Sequence, residues 1–386
     1  MRNGYKVFDS DTHFHPSVES LEPHLDAALR ERAKSFAQRE FKIGWAGEPL
    51  SEPYKHLYQL SEGGAGGWGT NPPRHLGEAG PRVNQERHFQ HFMGYEYPSE
   101  GGADHAIAER IADMEREGQD VHLLVPGAPS GHEDPAVDLG MLQALHRYLD
   151  EVCGRYPTQL KSMVVANARF IDESVAEIKK WAGKPWVRGV HVSLPLDFPV
   201  DHPDMDPIWQ AADDAGLCIV HHSFAAGYPG YRDLWDNPFV GRTASHPWGA
   251  MRMVAAFMGA GILDRFPNIR LSILESGFGW LPFWGRRMED QVTYMGYVNE
   301  NLQHTMWEYL TGGRFFSSIV LHEGEDMVRM VNELMGDHVL MFGSDYPHAE
   351  SRFPKSVDIV AEWKSLGEGS MKKLMWDNAA KCFGLD

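Results

Sequence analysis

The sequence predicts a single (β/α)8 barrel with a long insertion after its first strand, and three observations support that expectation. Eight short apolar runs alternate with helical stretches, regularly so beyond residue 104. Several of these runs end in histidine, glutamate or aspartate, at the strand ends where parallel sheets build ligand sites. No GxGxxG motif follows the first run, which removes the main argument for a dinucleotide-binding sheet. At 386 residues, one domain over 1–386 accommodates the whole chain.

The first strand is expected at Tyr5 to Asp9, running out into Asp11-Thr12-His13-Phe14-His15-Pro16. Side chains two apart on a strand share a face, so His13 and His15 can offer two imidazoles to one metal ion. From 30 to 104 the chain is rich in glycine, proline, histidine and aromatic residues without a sustained period, apart from some helix near 20 to 40. This stretch reads as an irregular insertion that would overhang the catalytic face as a lid.

Regular alternation follows. A helix at 104–117 leads to a strand at Val121 to Val125, one at 135–156 to Ser162 to Asn167, and one at 171–182 to Val187 to Val192. A helix at 205–215 leads to Leu217 to His222, and one at 246–264 to Ile269 to Glu275. The last two strands are expected at Phe315 to Ile319 and Val339 to Phe342.

The net charge is −18 and no lysine or arginine cluster forms a nucleic-acid footprint, which favours a small-molecule substrate. Cys153, Cys218 and Cys382 are scattered without CxxC spacing, so neither a disulfide framework nor a cysteine metal site is expected. The N-terminus passes directly into a strand, and no apolar run approaches a membrane span. A cytoplasmic protein with no membrane partner is expected.

The polar strand ends are Asp11, His13 and His15 on the first strand, His191 on the fourth, His221 and His222 on the fifth, Glu275 on the sixth, and Gly343-Ser344-Asp345-Tyr346-Pro347-His348 on the eighth. A strand buried on both faces gains nothing from an unpaired charge, so convergence on a metal explains them better than packing. His221 and His222 are adjacent and must face opposite ways. His191 is expected to pack or to bond a neighbour.

These pieces resemble the amidohydrolase superfamily, and within it the amidohydrolase-related group similar to aminocarboxymuconate semialdehyde decarboxylase. The resemblance rests on DTHFHP at 11–16, the apolar run ending in His221, GAGILDRFPNIRLSILESGFGWLP at 259–282, LMFGSDYPH at 340–348 and WDNAAKCFGL at 376–385. It implies that His13, His15, His221 and Asp345 hold a divalent metal, with Asp345 also moving protons. Zinc is the first expectation for such a set, with manganese or iron also accommodated.

Glu275 departs from the pattern, because the resembled group ends its sixth strand in a histidine that serves as general acid and base. A buried glutamate can carry a proton or bind metal. The second role opens a site for a second metal, built from Glu275 with His222 or His246. His246 could alternatively bond backbone at the start of its helix.

Phe14, Trp280 and His348 are expected to line the substrate, together with Trp68 and the aromatics Tyr228, Tyr231 and Trp235 of the 224–242 loop. Arg232, Arg242 and Arg286 could each clamp a carboxylate, and the sequence favours none of them. The resemblance implies a metal-dependent decarboxylase, a lyase, acting on a small unsaturated or aromatic carboxylic acid. A hydrolase using metal-activated water is the alternative, and a dinuclear iron or manganese oxygenase the second. By analogy a homodimer is expected, and the sequence leaves open a partner subunit.

Overall fold

Short runs of aliphatic and β-branched residues form eight parallel strands: β1 (Phe8–Phe14), β2 (Val121–Pro126), β3 (Leu160–Asn167), β4 (Val187–Ser193), β5 (Cys218–His222), β6 (Arg270–Leu274), β7 (Phe315–Ser318) and β8 (Leu340–Met341). Each pairs with the next in chain order. The computed structural model describes residues 1–14, 16, 18–33, 40–41, 54–55, 107–127, 134–194, 199–222, 238–296 and 300–385.

The sheet closes on itself between β1 and the chain after β8. Ser10 N donates to Phe342 O at 3.0 Å and Asp345 N to Asp11 O at 2.9 Å, and Thr12 bridges Tyr346 in parallel. Helices Ile107–Glu117, Pro135–Arg155, Ile171–Trp181, Asp206–Asp214, Pro238–Gly259, Leu281–Tyr294 and Gly324–Met335 alternate with the strands. The architecture is the expected (β/α)8 barrel.

Period-two alternation sorts the strand residues into two cores. Phe8, Leu123, Met163, Cys218, Val220, Leu274, Phe316 and Met341 meet inside the barrel, where Cys382 and Phe383 of the terminal helix Asn378–Phe383 join them. Their strand neighbours Val164, Val190, Ile219, Ile273, Phe315 and Leu340 pack outward against the helices. The carboxyl ends of the strands are thereby left to polar side chains.

Three expectations need correction. The first strand spans Phe8–Phe14 rather than Tyr5 to Asp9, because Asp9 to His13 are all buried, with Asp9, Thr12 and His13 paired to β2 and Ser10 and Asp11 bonded to the chain after β8. A register shift between Asp9 and Thr12 bulges the strand and resets its facing. Next, the helix expected at 246–264 begins at Pro238, and after Gly261, at φ +63°, a separate turn Ile262–Arg265 follows. Finally, helices Leu281–Tyr294 and Gly324–Met335 complete the alternation where none was placed.

Of the 20–40 helix, the structure shows Val18–Leu21 and Ala27–Ala33. Within the 30–104 insertion, Glu40–Phe41 pairs antiparallel with Tyr54–Lys55, and its remaining lid role lies outside the described residues. Among the described residues no helix is long and apolar enough to cross a membrane.

Candidate metal centre

The inner row of β5 decides which fifth-strand histidine reaches the barrel mouth. Cys218 and Val220 belong to the interior cluster, so His222 continues that row and His221 turns outward with Ile219. The structure brings His222 rather than His221 into the cluster: His222 Nε2 stands 2.9 Å from Glu275 Oε2 and 3.6 Å from Asp11 Oδ1. His221 is buried with its Nε2 lacking a hydrogen-bond partner among the described residues. On β4 the inward alternation brings His191 beside this pair, with its Nδ1 3.2 Å from Val220 O.

His13 is the hub. Its Nε2 lies 2.7 Å from Asp345 Oδ1, 3.1 Å from Glu275 Oε2 and 3.8 Å from Asp11 Oδ1. His348 stacks on the His13 ring at 4.1 Å between centroids, and its Nδ1 is 2.8 Å from Asp345 Oδ1. Donor atoms of His13, Glu275, Asp345 and His348 all fall within 4.8 Å of one another, as do those of Asp11, His13 and His222.

Three carboxylates beside three imidazoles match a divalent cation in donor type. Asp345 Oδ2 is buried with no hydrogen-bond partner among the described residues, an arrangement that a cation would relieve. Two of the carboxylates also sit on strained backbone. Glu275 has φ +48° and Asp345 φ +68°, left-handed values that residues with a Cβ seldom adopt.

A buried polar network braces β1 from behind. The guanidinium of Arg110, fully enclosed, donates to His13 O at 2.5 Å and stacks over the Tyr346 ring at 4.9 Å. Gln119 Nε2 donates to Asp9 Oδ2 at 2.8 Å, and Asp9 Oδ1 accepts from Ser344 N at 2.9 Å. The Tyr346 hydroxyl donates to Asp113 Oδ2 at 2.6 Å. The backbone around His13 and Asp345 is tied to this network before any ion binds.

The other expected site residues divide. Asp11, one of the polar strand ends expected to converge on a metal, joins the cluster. Phe14 was expected to line the substrate, but it is fully buried and stacked on Tyr148 at 5.7 Å, because the residue after inward-facing His13 faces outward. Trp280 is half-buried and donates from Nε1 to Ser276 O and Gly277 O at 2.9 and 3.0 Å. Arg286 lies over the Trp307 ring at 4.1 Å. His15, Trp68, Tyr228, Tyr231, Arg232 and Trp235 lie outside the described residues, as do the side chains of Arg242 and His246.

Burial works against the His13 imidazolium, but Asp345 and Glu275 outweigh it and hold its pKa well above the usual value. The same contest at His222, with Glu275 and Asp11 on the winning side, raises its pKa to about 9. Burial and then the Glu275 charge push Asp345 upward. At His221, burial and the neighbouring His191 and His222 push the pKa down to about 3, so that ring is neutral.

The cluster free of metal therefore holds protons at neutral pH that a cation must displace. Metal affinity is expected to rise with pH until His222 deprotonates near 9, by about tenfold per pH unit for each proton displaced. Calorimetric titration with Mn2+ across pH, in buffers of different ionisation enthalpy, measures both slope and proton release. A flat profile would contradict the site as drawn.

A family model described as Amidohydrolase matches residues 10–385. Among solved structures, 5-carboxyvanillate decarboxylase from Novosphingobium aromaticivorans, complexed with manganese and 4-hydroxy-3-methoxy-5-nitrobenzoic acid, is 17% identical with a TM-score of 0.66, covering 99% of this chain and 97% of its own. An amidohydrolase from Mycobacterium avium subsp. paratuberculosis is 18% identical with a TM-score of 0.71, covering 99% and 100%. The 2,6-dihydroxybenzoate decarboxylase from Rhizobium is 16% identical with a TM-score of 0.63, covering 72% and 88%. At these identities the likeness is one of fold. No curated protein matches the chain.

Proposed function

We propose that this chain, which belongs to the amidohydrolase family, is a divalent-metal-dependent decarboxylase of a small aromatic or unsaturated carboxylic acid. The observation that carries the reading is the imidazole and carboxylate cluster at the carboxyl ends of the strands, centred on His13 Nε2. The fold is shared with aromatic-acid decarboxylases, one of them complexed with manganese. Asp11, Glu275 and Asp345 make the donor set rich in oxygen, which favours manganese first and zinc second.

His13, His222, Asp345 and Asp11 or Glu275 would hold the ion, with His15 as a further donor from the sequence. When bound, the ion would anchor a substrate oxygen and draw electron density toward it. Decarboxylation breaks the bond from the ring or alkene carbon to the carboxylate, carbon dioxide leaves, and a proton takes its place on that carbon. Glu275 Oε2 stands 3.1 Å from His13 Nε2 and 2.9 Å from His222 Nε2, so its carboxylate lies at the centre, where it can hold and release a proton. His348 Nδ1 orients Asp345 through the oxygen that also faces His13.

One ion is the simpler arrangement. Both donor groups contain His13, and its single Nε2 serves one cation. A second ion would need Glu275 with His222 or His246, so elemental analysis showing two equivalents would move the reading toward the oxygenase. Carbon dioxide release from aromatic and muconate-type acids, run beside esters, lactones and amides, separates decarboxylase from hydrolase. Turnover of only the second group would overturn the proposal.

Glu275→Gln is expected to lower turnover by roughly 100-fold or more, the usual scale for a lost general acid or base. Metal content measured on the same sample identifies the role. Retained metal marks a proton carrier and lost metal a ligand, whereas unchanged turnover with unchanged metal would remove Glu275 from the site.

A further inference from the structure

The turn that follows β6 places Glu275 in a left-handed backbone conformation, and something must hold it there. Within the turn, Ser276 Oγ donates to Leu274 O at 3.0 Å, and Glu275 N donates to Ser318 Oγ at 3.2 Å. The stronger anchor comes from the end of the 3-10 turn Leu321–Glu323 that follows β7. The Glu323 carboxylate accepts Phe278 N at 3.1 Å through Oε1 and Gly279 N at 2.7 Å through Oε2. Successive amides in a turn form a concavity suited to an anion, and here a carboxylate of the chain itself fills it.

The glycines around this carboxylate show how closely it is seated. A Cβ on Gly277, already at φ +70°, would lie 2.4 Å from Glu323 Oε1, and one on Gly279 would lie 2.9 Å from Oε2 and 2.7 Å from Met327 Sδ. Trp280 Nε1 closes the same turn through Ser276 O and Gly277 O. Residues 275–280 are thus tied to the end of β7 through Ser318 and to the turn that follows it through the Glu323 carboxylate. That carboxylate stands outside the cluster of donor atoms.

We propose that Glu323 is a positioning residue for Glu275: by occupying the amides of Phe278 and Gly279 it fixes the turn that aims the Glu275 carboxylate at His13 and His222. The inference rests on the reading of Glu275 as a member of the metal centre. Without Glu323 the turn has no carboxylate to satisfy its amides, and the left-handed geometry at Glu275 relaxes. A carboxylate that swings away from the centre loses its contribution to metal binding before any chemistry is considered.

The test is a double-mutant cycle read by Mn2+ binding, with the full chain throughout. Glu323→Ala is expected to weaken Mn2+ binding about 10- to 100-fold, the range for outer partners of metal ligands, and to alter the electron paramagnetic resonance spectrum of the bound ion. Glu323→Gln keeps one acceptor oxygen and is expected to recover part of the loss. In a Glu275→Gln background, Glu323→Ala should cost nothing further, because the two changes act through one carboxylate. Additive losses, or a Glu323→Ala protein that binds Mn2+ normally while Glu275→Gln does not, would overturn the inference alone. If Glu275→Gln leaves Mn2+ binding unchanged, with or without a fall in turnover, the underlying reading of Glu275 as a contributor to metal binding fails instead. Should Glu323→Ala not fold, the cycle runs with Glu323→Gln under the same criteria.

Discussion

Replacing His13 with alanine is expected to leave the purified protein without bound metal and without turnover. His13 Nε2 belongs to both donor groups, facing Asp345 at 2.7 Å, Glu275 at 3.1 Å and Asp11 at 3.8 Å. Its loss takes a donor from every arrangement of the site and leaves three carboxylates facing one another. Outer partners alone are worth about 10- to 100-fold in metal affinity, so loss of a shared ligand should cost more than about 100-fold.

The fold should survive this substitution. The backbone at residue 13 keeps its bonds, His13 N to Tyr346 O at 2.5 Å and Arg110 to His13 O at 2.5 Å, because neither uses the imidazole. Elemental analysis beside a circular dichroism spectrum separates an empty centre from an unfolded chain. Normal metal occupancy in a folded His13→Ala protein would refute the centre.

His222→Ala and His221→Leu are expected to have opposite outcomes although the residues are adjacent. His222 faces inward and touches Glu275, so its loss should also weaken metal binding by more than about 100-fold. His221 faces outward, its buried Nε2 without a hydrogen-bond partner among the described residues, and exchanging it for a similar apolar side chain should leave metal content unchanged. Removing an unsatisfied buried polar atom is nearly neutral or stabilising, so His221→Leu should alter the unfolding free energy at pH 7 by no more than about 1 kcal/mol.

The pH dependence sharpens the comparison. With a folded pKa near 3 against about 6.5 unfolded, His221 contributes stability that is present above pH 6.5 and lost as pH falls toward 3. His221→Leu should therefore resist acid better than the unaltered chain. Denaturant titrations at pH 7 and pH 5 measure this, and loss of metal from His221→Leu would restore His221 as the ligand.

Several parts of the fold were legible in the chain because burial and chemistry leave separable marks. Strands buried on both faces read as apolar runs, and β2 to β8 were placed within a few residues for that reason. β1 was not, because its buried row reads Asp9-Ser10-Asp11-Thr12-His13, a polar stretch that becomes strand only through its pairing with β2 and its ties to the chain after β8. The bulge between Asp9 and Thr12 leaves no mark in composition, and it decides that Asp11 and His13 share the inner face.

Local patterning is enough to show the chemistry on offer: histidines and acids at the ends of apolar runs, in a chain that matches the amidohydrolase family over residues 10–385. Which of them meet is set by packing in three dimensions. Adjacent residues on a strand differ by one step of the pleat, so the choice of His222 over His221 depends on which residues fill the barrel interior. The aim of Glu275 depends on a left-handed turn held by Glu323, 48 residues away in the chain, and no local pattern encodes a contact between two strand ends. Residue type is written locally, but a cluster built from the ends of four strands is a property of how the barrel closes.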